Sequence, residues 1–258
     1  MKAMVLAAGL GTRLRPLTND RPKALVEVGG RTMLEITLTR LRSFGVDQVI
    51  INVHHFADMV VDYLKENDNF GMQIEFSREE ELLDTGGGLK KAAHFFLDSS
   101  AQSEPFILHN VDLISTIDLY RMVQFHNQRH ALATLAVQDR ETSRYLLFDR
   151  QLELCGRRSG QGQALETVRV CEKPEALAFS GIHIVSLRLL ALMTEEGAFS
   201  IITSYLRLAS QGERIQGFRS DEYYWRDLGR RENLAQAEKD LENRAIPEIQ
   251  FSGLRYPS

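Results

Sequence analysis

The sequence predicts an α/β protein with a Rossmann-like, doubly wound mixed sheet in a single domain. Three observations indicate this class. A short, entirely apolar run at residues 3–8 ends in glycine, which is typical of a strand buried on both faces. Strand-like and helix-like patterns then alternate up to about residue 112. Beyond that point strand-like runs outnumber helical ones until the last third of the chain.

The first half is expected to hold the parallel core of the sheet, joined by right-handed crossovers. Leu34, Leu38 and Leu41 recur at helical spacing, and Gly45 is a natural helix stop. The strands expected here are 3–8, 48–53, 72–76 and 105–109. The further helices expected here are 59–65 and 88–96.

The second half is expected to add a mixed or antiparallel extension that forms the far wall of a cleft. The strands expected there are 131–138, 144–148, 152–155, 167–171 and 178–185. The helices expected there are 187–193, 200–209 and 231–242. Because no repeat or low-complexity linker interrupts the chain, we expect one domain over residues 1–245 and a C-terminal tail at 246–258.

Composition and charge restrict the partners of the protein. A net charge of −4 and a pI near 6.0 give no support for a nucleic-acid or anionic-membrane surface. The apolar run near the N-terminus is too short for a signal peptide, so a soluble protein is expected. Cys155 and Cys171 make neither a metal pattern nor a disulfide framework, which favours a reducing cytoplasm. The oligomeric state is left open.

The loop after the first strand carries the clearest chemical signal. Residues 6–28 read LAAGLGTRLRPLTNDRPKALVEV. Gly9 and Gly11 allow the backbone to approach a ligand, and Thr12 adds a hydroxyl group. Successive N–H groups in such a turn bind anions, and neighbouring cations neutralise phosphate charge. The loop supplies cations in Arg13, Arg15, Arg21 and Lys23.

Two other kinds of glycine loop do not fit this stretch. A Walker loop closes with Gly-Lys-Ser/Thr, but here Gly11 is followed by Thr12 and Arg13. A dinucleotide-binding loop needs a third glycine three residues after the second, where this chain has Leu14. A Rossmann oxidoreductase is therefore disfavoured. Two alternatives remain, another kind of phosphate loop or a solvated glycine turn with a basic edge.

The whole stretch resembles the signature of the sugar-phosphate nucleotidyltransferases, L-A-A-G-x-G-T-R-L-x-P-L-T followed by P-K-A-L-V. The resemblance implies the nucleotide-diphospho-sugar transferase fold and an NTP substrate. It implies catalytic roles for Arg13, at the β- and γ-phosphates, and for Lys23, near the α-phosphate. The residues that it implies at the nucleotide are Leu6, Ala7, Ala8, Gly9, Gly11, Thr12, Arg13, Lys23, Thr85, Gly86, Gly87 and Asn110.

The glycine run in this set, DTGGG at residues 84–88, follows a strand and opens a helix. Glycine is a poor helix former, so some other constraint is expected to hold the run there. Its backbone can approach a base or ribose, and the N-terminus of a helix favours negative charge. Taken alone, the run is equally typical of a flexible turn.

The resemblance implies that two acidic residues, far apart in the sequence, bind Mg²⁺. Asp112 ends the run FILHNVD, where the family has a Gly-Asp pair and this chain has Val111 in place of the glycine. Asp227 lies in WRDLG, which is similar to the family's W-x-D-[IVL]-G segment. A hard divalent cation needs such oxygen ligands brought together by the fold. Taken alone, either acid could be a loop residue or a helix cap.

A sugar-binding group is also implied, consisting of Asn110, Glu172, Lys173 and Gly181. The run Glu172-Lys173-Pro174 is similar to the family's E-K-P, and FSGI around Gly181 to the strand that lines the sugar pocket. The pair His54 and His55 is a weaker metal candidate. Adjacent strand residues point to opposite faces, so a structural role or a place in the pocket wall is expected for them.

The reaction that the resemblance implies is attack of a sugar 1-phosphate on the α-phosphorus of the NTP, with Mg²⁺ assistance and release of pyrophosphate. The chain is similar to compact N-acetylmuramate-1-phosphate uridylyltransferases and short mannose-1-phosphate guanylyltransferase-like members. UTP is therefore favoured, with N-acetylmuramate 1-phosphate or a hexose 1-phosphate such as mannose 1-phosphate. The alternative is a non-catalytic, nucleotide-sugar-binding regulatory paralogue on the same fold, and Val111 is the feature in its favour.

Overall fold

The computed structural model describes residues 1–97, 104–159, 165–243 and 246. These residues form two compact units, each assembled from separate stretches of the chain. The first unit comprises Met1–Leu82, His109–Ile117 and the described residues from Tyr223 onward. The second unit comprises the described residues within Leu83–Leu108 and Asp118–Glu222.

The strands and helices alternate through the first half of the chain, as the sequence predicts. The strands are β1 (Lys2–Leu6), β2 (Glu27–Val28), β3 (Arg31–Thr32), β4 (Gln48–Val53), β5 (Gln73–Arg78), β6 (Phe106–Asn110), β7 (Leu113–Ser115), β8 (Ala133–Gln138), β9 (Arg144–Phe148), β10 (Leu154–Ser159), β11 (Leu165–Thr167), β12 (Glu175–Val185), β13 (Ile215–Arg219) and β14 (Trp225–Asp227). The α-helices are α1 (Met33–Ser43), α2 (Ala57–Glu66), α3 (Asp84–Lys91), α4 (Ala93–Leu97), α5 (Leu119–Arg129), α6 (Arg188–Leu192), α7 (Ile201–Ser210) and α8 (Arg231–Glu242).

The first unit contains three parallel strands in the order β1, β4, β5. The central side chains of β1, from Ala3 to Val5, have no exposed surface, as expected for an apolar strand covered on both faces. The carboxyl ends of β1 and β4 lie side by side, with Leu6 opposite Asn52 in the register. The loop that follows β1 therefore starts from a strand end that is paired with β4.

Helix α1 begins and ends where its sequence signals. The side-chain oxygen of Thr32 accepts a hydrogen bond from the backbone N–H of Glu35 at 3.0 Å, which caps the first turn. The chain leaves the helix at Gly45, which has φ 75° and donates its N–H to the carbonyl oxygen of Arg42 at 2.9 Å. The three leucines that predict this helix are fully buried.

The second unit is a mixed sheet built around the long strand β12. β12 runs antiparallel to β8 and β9, β8 pairs with β13 in parallel, and β10 continues the antiparallel series between β9 and β11. β12 bulges between Phe179 and His183, where Gly181 has φ 75°. The predicted α/β class, with parallel strands first and a mixed extension later, is confirmed.

The glycine run lies inside a helix, so the expected helix at 88–96 begins too late. α3 starts at Asp84 and includes all three glycines, and α4 is a separate short helix. The N–H groups of Gly86 and Gly87 donate to the carbonyl oxygen of Phe199 at 2.9 and 3.3 Å. A Cβ on Gly86 would overlap the Phe199 ring, and one on Gly87 the carbonyl oxygen of Gly197. Close packing therefore requires glycine here despite its low helix propensity.

The segment between the two cysteines differs from the prediction in two respects. The strand expected at 167–171 does not form, because β11 ends at Thr167 and the N–H groups of Val168 and Arg169 both donate to the carbonyl oxygen of Cys155. The expectation of no disulfide is wrong, since Cys155 and Cys171 are bonded, with Cα atoms 6.5 Å apart. Spacing alone does not reveal the turn that brings them together. The cysteines therefore no longer favour a reducing compartment.

Several elements have no counterpart among the predicted ones. Helix α5 is capped by Asp118, whose carboxylate accepts the N–H of Arg121 at 3.0 Å, but its apolar positions are diluted by polar residues. β7 and β14 have three residues each, too few to give a periodic pattern. These two strands pair antiparallel in the first unit, with Asp227 opposite Leu113.

No helix in the described part of the chain is long and apolar enough to cross a bilayer. Of the tail expected at 246–258, only Ile246 is described, and it is buried. The rest of the tail lies outside the described residues, and the domain boundary at 245 stays a prediction.

Candidate active site

The loop after β1 folds back on the segment that carries Lys23. Gly11 has φ 63°, and its carbonyl oxygen accepts the hydroxyl of Thr18 at 2.9 Å. A Cβ on Gly11 would lie 3.0 Å from both Thr18 Cγ2 and Lys23 Cβ, so a side chain there would be strained and crowded. A Cβ on Gly9 would lie 3.8 Å from Lys23 Nζ. The glycines thus let the loop backbone run directly beside the Lys23 side chain.

A buried polar chain fixes the carboxyl ends of the three parallel strands. The backbone N–H of Ala7 donates to Asn52 Oδ1 at 2.7 Å, and Asn52 Nδ2 donates to Glu79 Oε1 at 2.7 Å. Asn52 and Glu79 are 3% and 5% exposed. A protein is destabilised when a buried polar group loses its hydrogen-bond partner. These hydrogen bonds therefore hold the start of the loop in place. Sequence reasoning missed both residues, although Asn52 is a polar residue inside an otherwise apolar strand.

Lys23 forms an ion pair with Asp112. Its Nζ lies 2.6 Å from Asp112 Oδ2, and the two side chains are 13% and 12% exposed. A charge-assisted hydrogen bond so far from solvent is stronger than a surface pair. The predicted phosphate-binding lysine and the predicted metal ligand are therefore in direct contact.

Asp227 and Arg13 lie close to Asp112. The pairing of β14 with β7 sets Asp227 beside the Asp112 segment, and Leu228 N–H donates to the carbonyl oxygen of Asp112 at 2.8 Å. A Cβ on Gly229 would lie 2.8 Å from Asp227 Oδ1 and 3.0 Å from Asp112 Oδ2. The same point is 2.8 Å from Arg13 Nη2. The fold thus brings together the two predicted metal ligands and the two predicted catalytic cations.

Two buried side chains, Arg40 and His109, hold the backbone before Asp112. Arg40 Nη1 donates to His109 Nε2 at 3.2 Å, and His109 Nδ1–H donates to the carbonyl oxygen of Asn110 at 2.7 Å. Burial, with the neighbouring Arg40 cation, lowers the pKa of His109 to about 3, so the imidazole is neutral at pH 7. The side chain of Val111, which replaces the family's glycine, is fully buried. Its backbone N–H donates to the carbonyl oxygen of Leu6 at 3.2 Å.

A second network holds β14 against α8. Arg226 Nη2 lies 2.8 Å from Asp240 Oδ2, and the hydroxyl of Tyr224 donates to the same oxygen at 2.7 Å. Burial and the adjacent Asp240 carboxylate raise the pKa of Tyr224 to about 12, so it stays protonated as a donor. Arg226 directly precedes Asp227 on β14, and Tyr224 lies just before the strand. No sequence motif identified Asp240, because its role depends on how the helix packs.

The two adjacent histidines do not form a metal pair. His54 Nδ1 lies 2.8 Å from the carbonyl oxygen of Glu79, and the exposed ring of His55 packs on Phe56 with ring centroids 3.9 Å apart. Within the described residues, no group of three or more His, Cys, Asp or Glu side chains is placed to hold a metal ion. A cation at Asp112 and Asp227 would therefore take its remaining oxygen ligands from substrate or water.

Comparison with known proteins identifies the family of the chain. The family model described as "Nucleotidyl transferase" matches residues 2–244. The chain belongs to the nucleotidyl transferase family. One model covers this whole region, which agrees with the single-domain prediction.

Among its relatives is the N-acetylmuramate alpha-1-phosphate uridylyltransferase of Caulobacter vibrioides, 46% identical over 115 residues, covering 43% of this chain and 46% of the relative. A UTP–glucose-1-phosphate uridylyltransferase of Synechocystis is 36% identical over 146 residues, covering 52% and 36%. The mannose-1-phosphate guanylyltransferase catalytic subunit beta of Xenopus tropicalis is 31% identical over 239 residues, covering 89% and 61%. The chain therefore spans about a third to three fifths of the length of these relatives.

Solved structures support the nucleotidyl transferase fold. HddC from Yersinia pseudotuberculosis, complexed with GMP-PN, superimposes with a TM-score of 0.73 at 21% identity, covering 93% of this chain and 99% of that one. A putative glucose-1-phosphate thymidylyltransferase from Bacillus anthracis gives a TM-score of 0.77 at 16% identity, covering 97% and 99%. At these identities the likeness establishes the fold alone.

Three of the predicted nucleotide-site residues of this nucleotidyl transferase, Thr85, Gly86 and Gly87, lie in the second unit. Thr85 Oγ1 accepts the N–H of Ile201 at 3.0 Å, and Gly86 and Gly87 are buried against the Phe199 segment. This packing explains why glycine occupies the two positions without invoking a ligand. Their contact with a nucleotide stays a prediction, as it does for Leu6, Ala8, Thr12 and Asn110.

The predicted sugar-binding residues also lie mainly in the second unit. Glu172 and Lys173 are exposed in the segment just after Cys171, and Lys173 has φ 48°. The disulfide of Cys171 with Cys155 ties this segment to β10. Gly181 lies in the bulge of β12. Their role in sugar binding stays a prediction.

Proposed function

We propose that this protein is a sugar-1-phosphate nucleotidyltransferase, which forms an NDP-sugar and pyrophosphate from an NTP and a sugar 1-phosphate. The observation that carries the proposal is the meeting of Arg13 with two carboxylates beside Gly229, one of which holds Lys23. Membership of the nucleotidyl transferase family supports the same activity.

The chemistry needs charge neutralisation more than it needs a general base. The second pKa of a phosphate monoester is about 6, so the sugar phosphate is mostly a dianion at pH 7 and needs no deprotonation. Bringing two polyanions into line is an electrostatic and positioning task. In our proposal Arg13 stabilises the departing pyrophosphate, and Lys23 stabilises the charge that develops at the α-phosphate.

Asp112 and Asp227 are suited to hold Mg²⁺. Each presents a carboxylate oxygen within 3.0 Å of one common point, where the absence of a side chain on Gly229 leaves space. Hard oxygen ligands of this kind match the preference of Mg²⁺, which also retains water or phosphate ligands. When bound, Mg²⁺ would neutralise phosphate charge between the two substrates. Asn52 and Glu79 fix the strand ends from which the phosphate loop starts.

The substrates we favour are UTP and N-acetylmuramate 1-phosphate. The relative that is 46% identical bears that name, although the match covers less than half of either chain. Mannose 1-phosphate or another hexose 1-phosphate is the second choice, since relatives named as guanylyltransferases match a larger share of the chain. We propose small-molecule partners only, and the net charge of −4 fits the absence of nucleic acid among them. We also propose a cytoplasmic location on the ground of the proposed substrates, an NTP and a sugar 1-phosphate, although the Cys155–Cys171 disulfide does not favour it.

The test is a matrix of pyrophosphate-release assays with Mg²⁺. Each common NTP is combined with N-acetylmuramate 1-phosphate, glucose 1-phosphate and mannose 1-phosphate. We expect release with one preferred pair, with UTP and N-acetylmuramate 1-phosphate highest. Nucleotide binding by calorimetry, without release from any pair, would reject catalysis and identify a regulatory paralogue instead.

A further inference from the structure

Lys23 holds the carboxylate that the proposed function assigns to the metal. Its Nζ is 2.6 Å from Asp112 Oδ2, so a metal ion bound to that carboxylate would lie close to the ammonium and be repelled by it. Both side chains are largely removed from solvent, so water screens the pair only weakly. A divalent cation and the Lys23 ammonium therefore compete for the same carboxylate.

We propose that Lys23 is the resident counter-ion of Asp112 in the metal-free protein and that a divalent cation displaces it toward the nucleotide phosphates. The inference rests on the proposed function, because it takes Asp112 as a metal ligand. It gives Lys23 a role before chemistry begins. The lysine keeps a nearly buried carboxylate paired, since removing one partner of such a pair leaves an uncompensated charge.

The geometry gives the Lys23 ammonium a short path from the Asp112 carboxylate to the backbone of the phosphate loop. The base of the side chain is held by the backbone, because Lys23 lies in the 3₁₀ turn Lys23–Leu25 and its carbonyl oxygen accepts the N–H of Val26 at 3.1 Å. Lys23 Nζ already lies 3.8 Å from the point where a Gly9 Cβ would lie, beside the loop backbone. A lysine stem is flexible and carries a compact charge, so rotation about its outer bonds moves the charge from carboxylate to loop.

The net charge of the site makes metal binding depend on the nucleotide. Arg13 and Lys23 together balance Asp112 and Asp227 in the metal-free site. A divalent cation added alone leaves an excess of positive charge, which the phosphates of a nucleotide would remove. Metal binding without nucleotide is therefore weakened by Lys23, and nucleotide and metal strengthen each other's binding.

The experiment measures Mn²⁺ affinity without nucleotide, by electron paramagnetic resonance of the free ion. Lys23→Met removes the competing cation and is expected to bind Mn²⁺ about tenfold more tightly than wild type. Lys23→Arg keeps a cation and is expected to stay within about twofold of wild type. Arg21→Met is the matched control, because Arg21 lies in the same loop but pairs with the exposed Asp20 and is expected to leave the affinity unchanged.

The outcomes separate this inference from the proposed function. Asp112→Asn is expected to lose most Mn²⁺ affinity. If Asp112→Asn loses affinity but Lys23→Met binds no more tightly than wild type, the exchange is refuted while the metal assignment stands. An equal gain in Lys23→Met and Arg21→Met would also refute it, since the effect would then be general charge. Unchanged affinity in Asp112→Asn would refute the metal assignment and the exchange together. Circular dichroism and thermal unfolding confirm that each variant is folded.

Discussion

Gly229 is the residue around which the charged side chains of the candidate active site meet. Its backbone N–H donates to Asp227 Oδ1 at 2.7 Å, and its Cα has no side chain to fill the space between Asp227, Asp112 and Arg13. The two carboxylates and the two cations come from three separate stretches of the chain. The candidate site therefore depends on the space beside Gly229 as much as on charge.

Gly229→Ala tests the need for that space. The added methyl carbon would lie 2.8 Å from Arg13 Nη2 and Asp227 Oδ1, so both groups must shift. Because small misplacements of catalytic groups are costly, we expect turnover to fall on the order of 10²-fold. The measurement is kcat for pyrophosphate release. Gly30→Ala is the control for backbone strain without a clash, since Gly30 has φ 77° but nothing lies within 4 Å of a methyl group there; its stability is expected to fall while its kcat matches wild type. Full activity in Gly229→Ala would show that the space is not used.

At the scale of secondary structure, two short strands and the helix that packs on them determine where the two acidic residues lie. β7 and β14 form a two-stranded pair that joins the Asp112 segment to Asp227. Helix α8 holds β14 through the contacts of Asp240 with Arg226 and Tyr224. The catalytic geometry thus depends on a helix that contributes no predicted site residue.

Asp240→Asn tests this support. The change removes the charge that pairs with Arg226 and weakens the hydrogen bond from Tyr224, and both partners are partly buried. We expect the free energy of unfolding to fall by about 1–2 kcal/mol. Denaturant unfolding measures it. Asp58→Asn, which breaks a pair whose side chains are 54% and 83% exposed, should change it by less than about 0.5 kcal/mol. Equal effects in the two variants would contradict the role of Asp240.

For the whole molecule, the features that could be predicted are those that have a local sequence pattern. The apolar run of β1, the leucine spacing of α1 and the glycine loop all have local signals, and each lies where expected. Asp112 and Asp227 were found through a family resemblance, because no local pattern links residues so far apart. The Asn52–Glu79 hydrogen bond and the Cys155–Cys171 disulfide depend on strand register and a turn, which sequence spacing does not encode.

The central claim is that the acids gathered beside Gly229 support nucleotidyl transfer. The most direct measurement compares Mg²⁺-dependent pyrophosphate release by wild type and Asp227→Asn, with Asp58→Asn as the control for loss of an acid elsewhere. We predict that Asp227→Asn keeps the wild-type circular dichroism spectrum while its rate falls on the order of 10³-fold, and that Asp58→Asn is unaffected. A folded Asp227→Asn protein with a rate within about threefold of wild type would contradict the account.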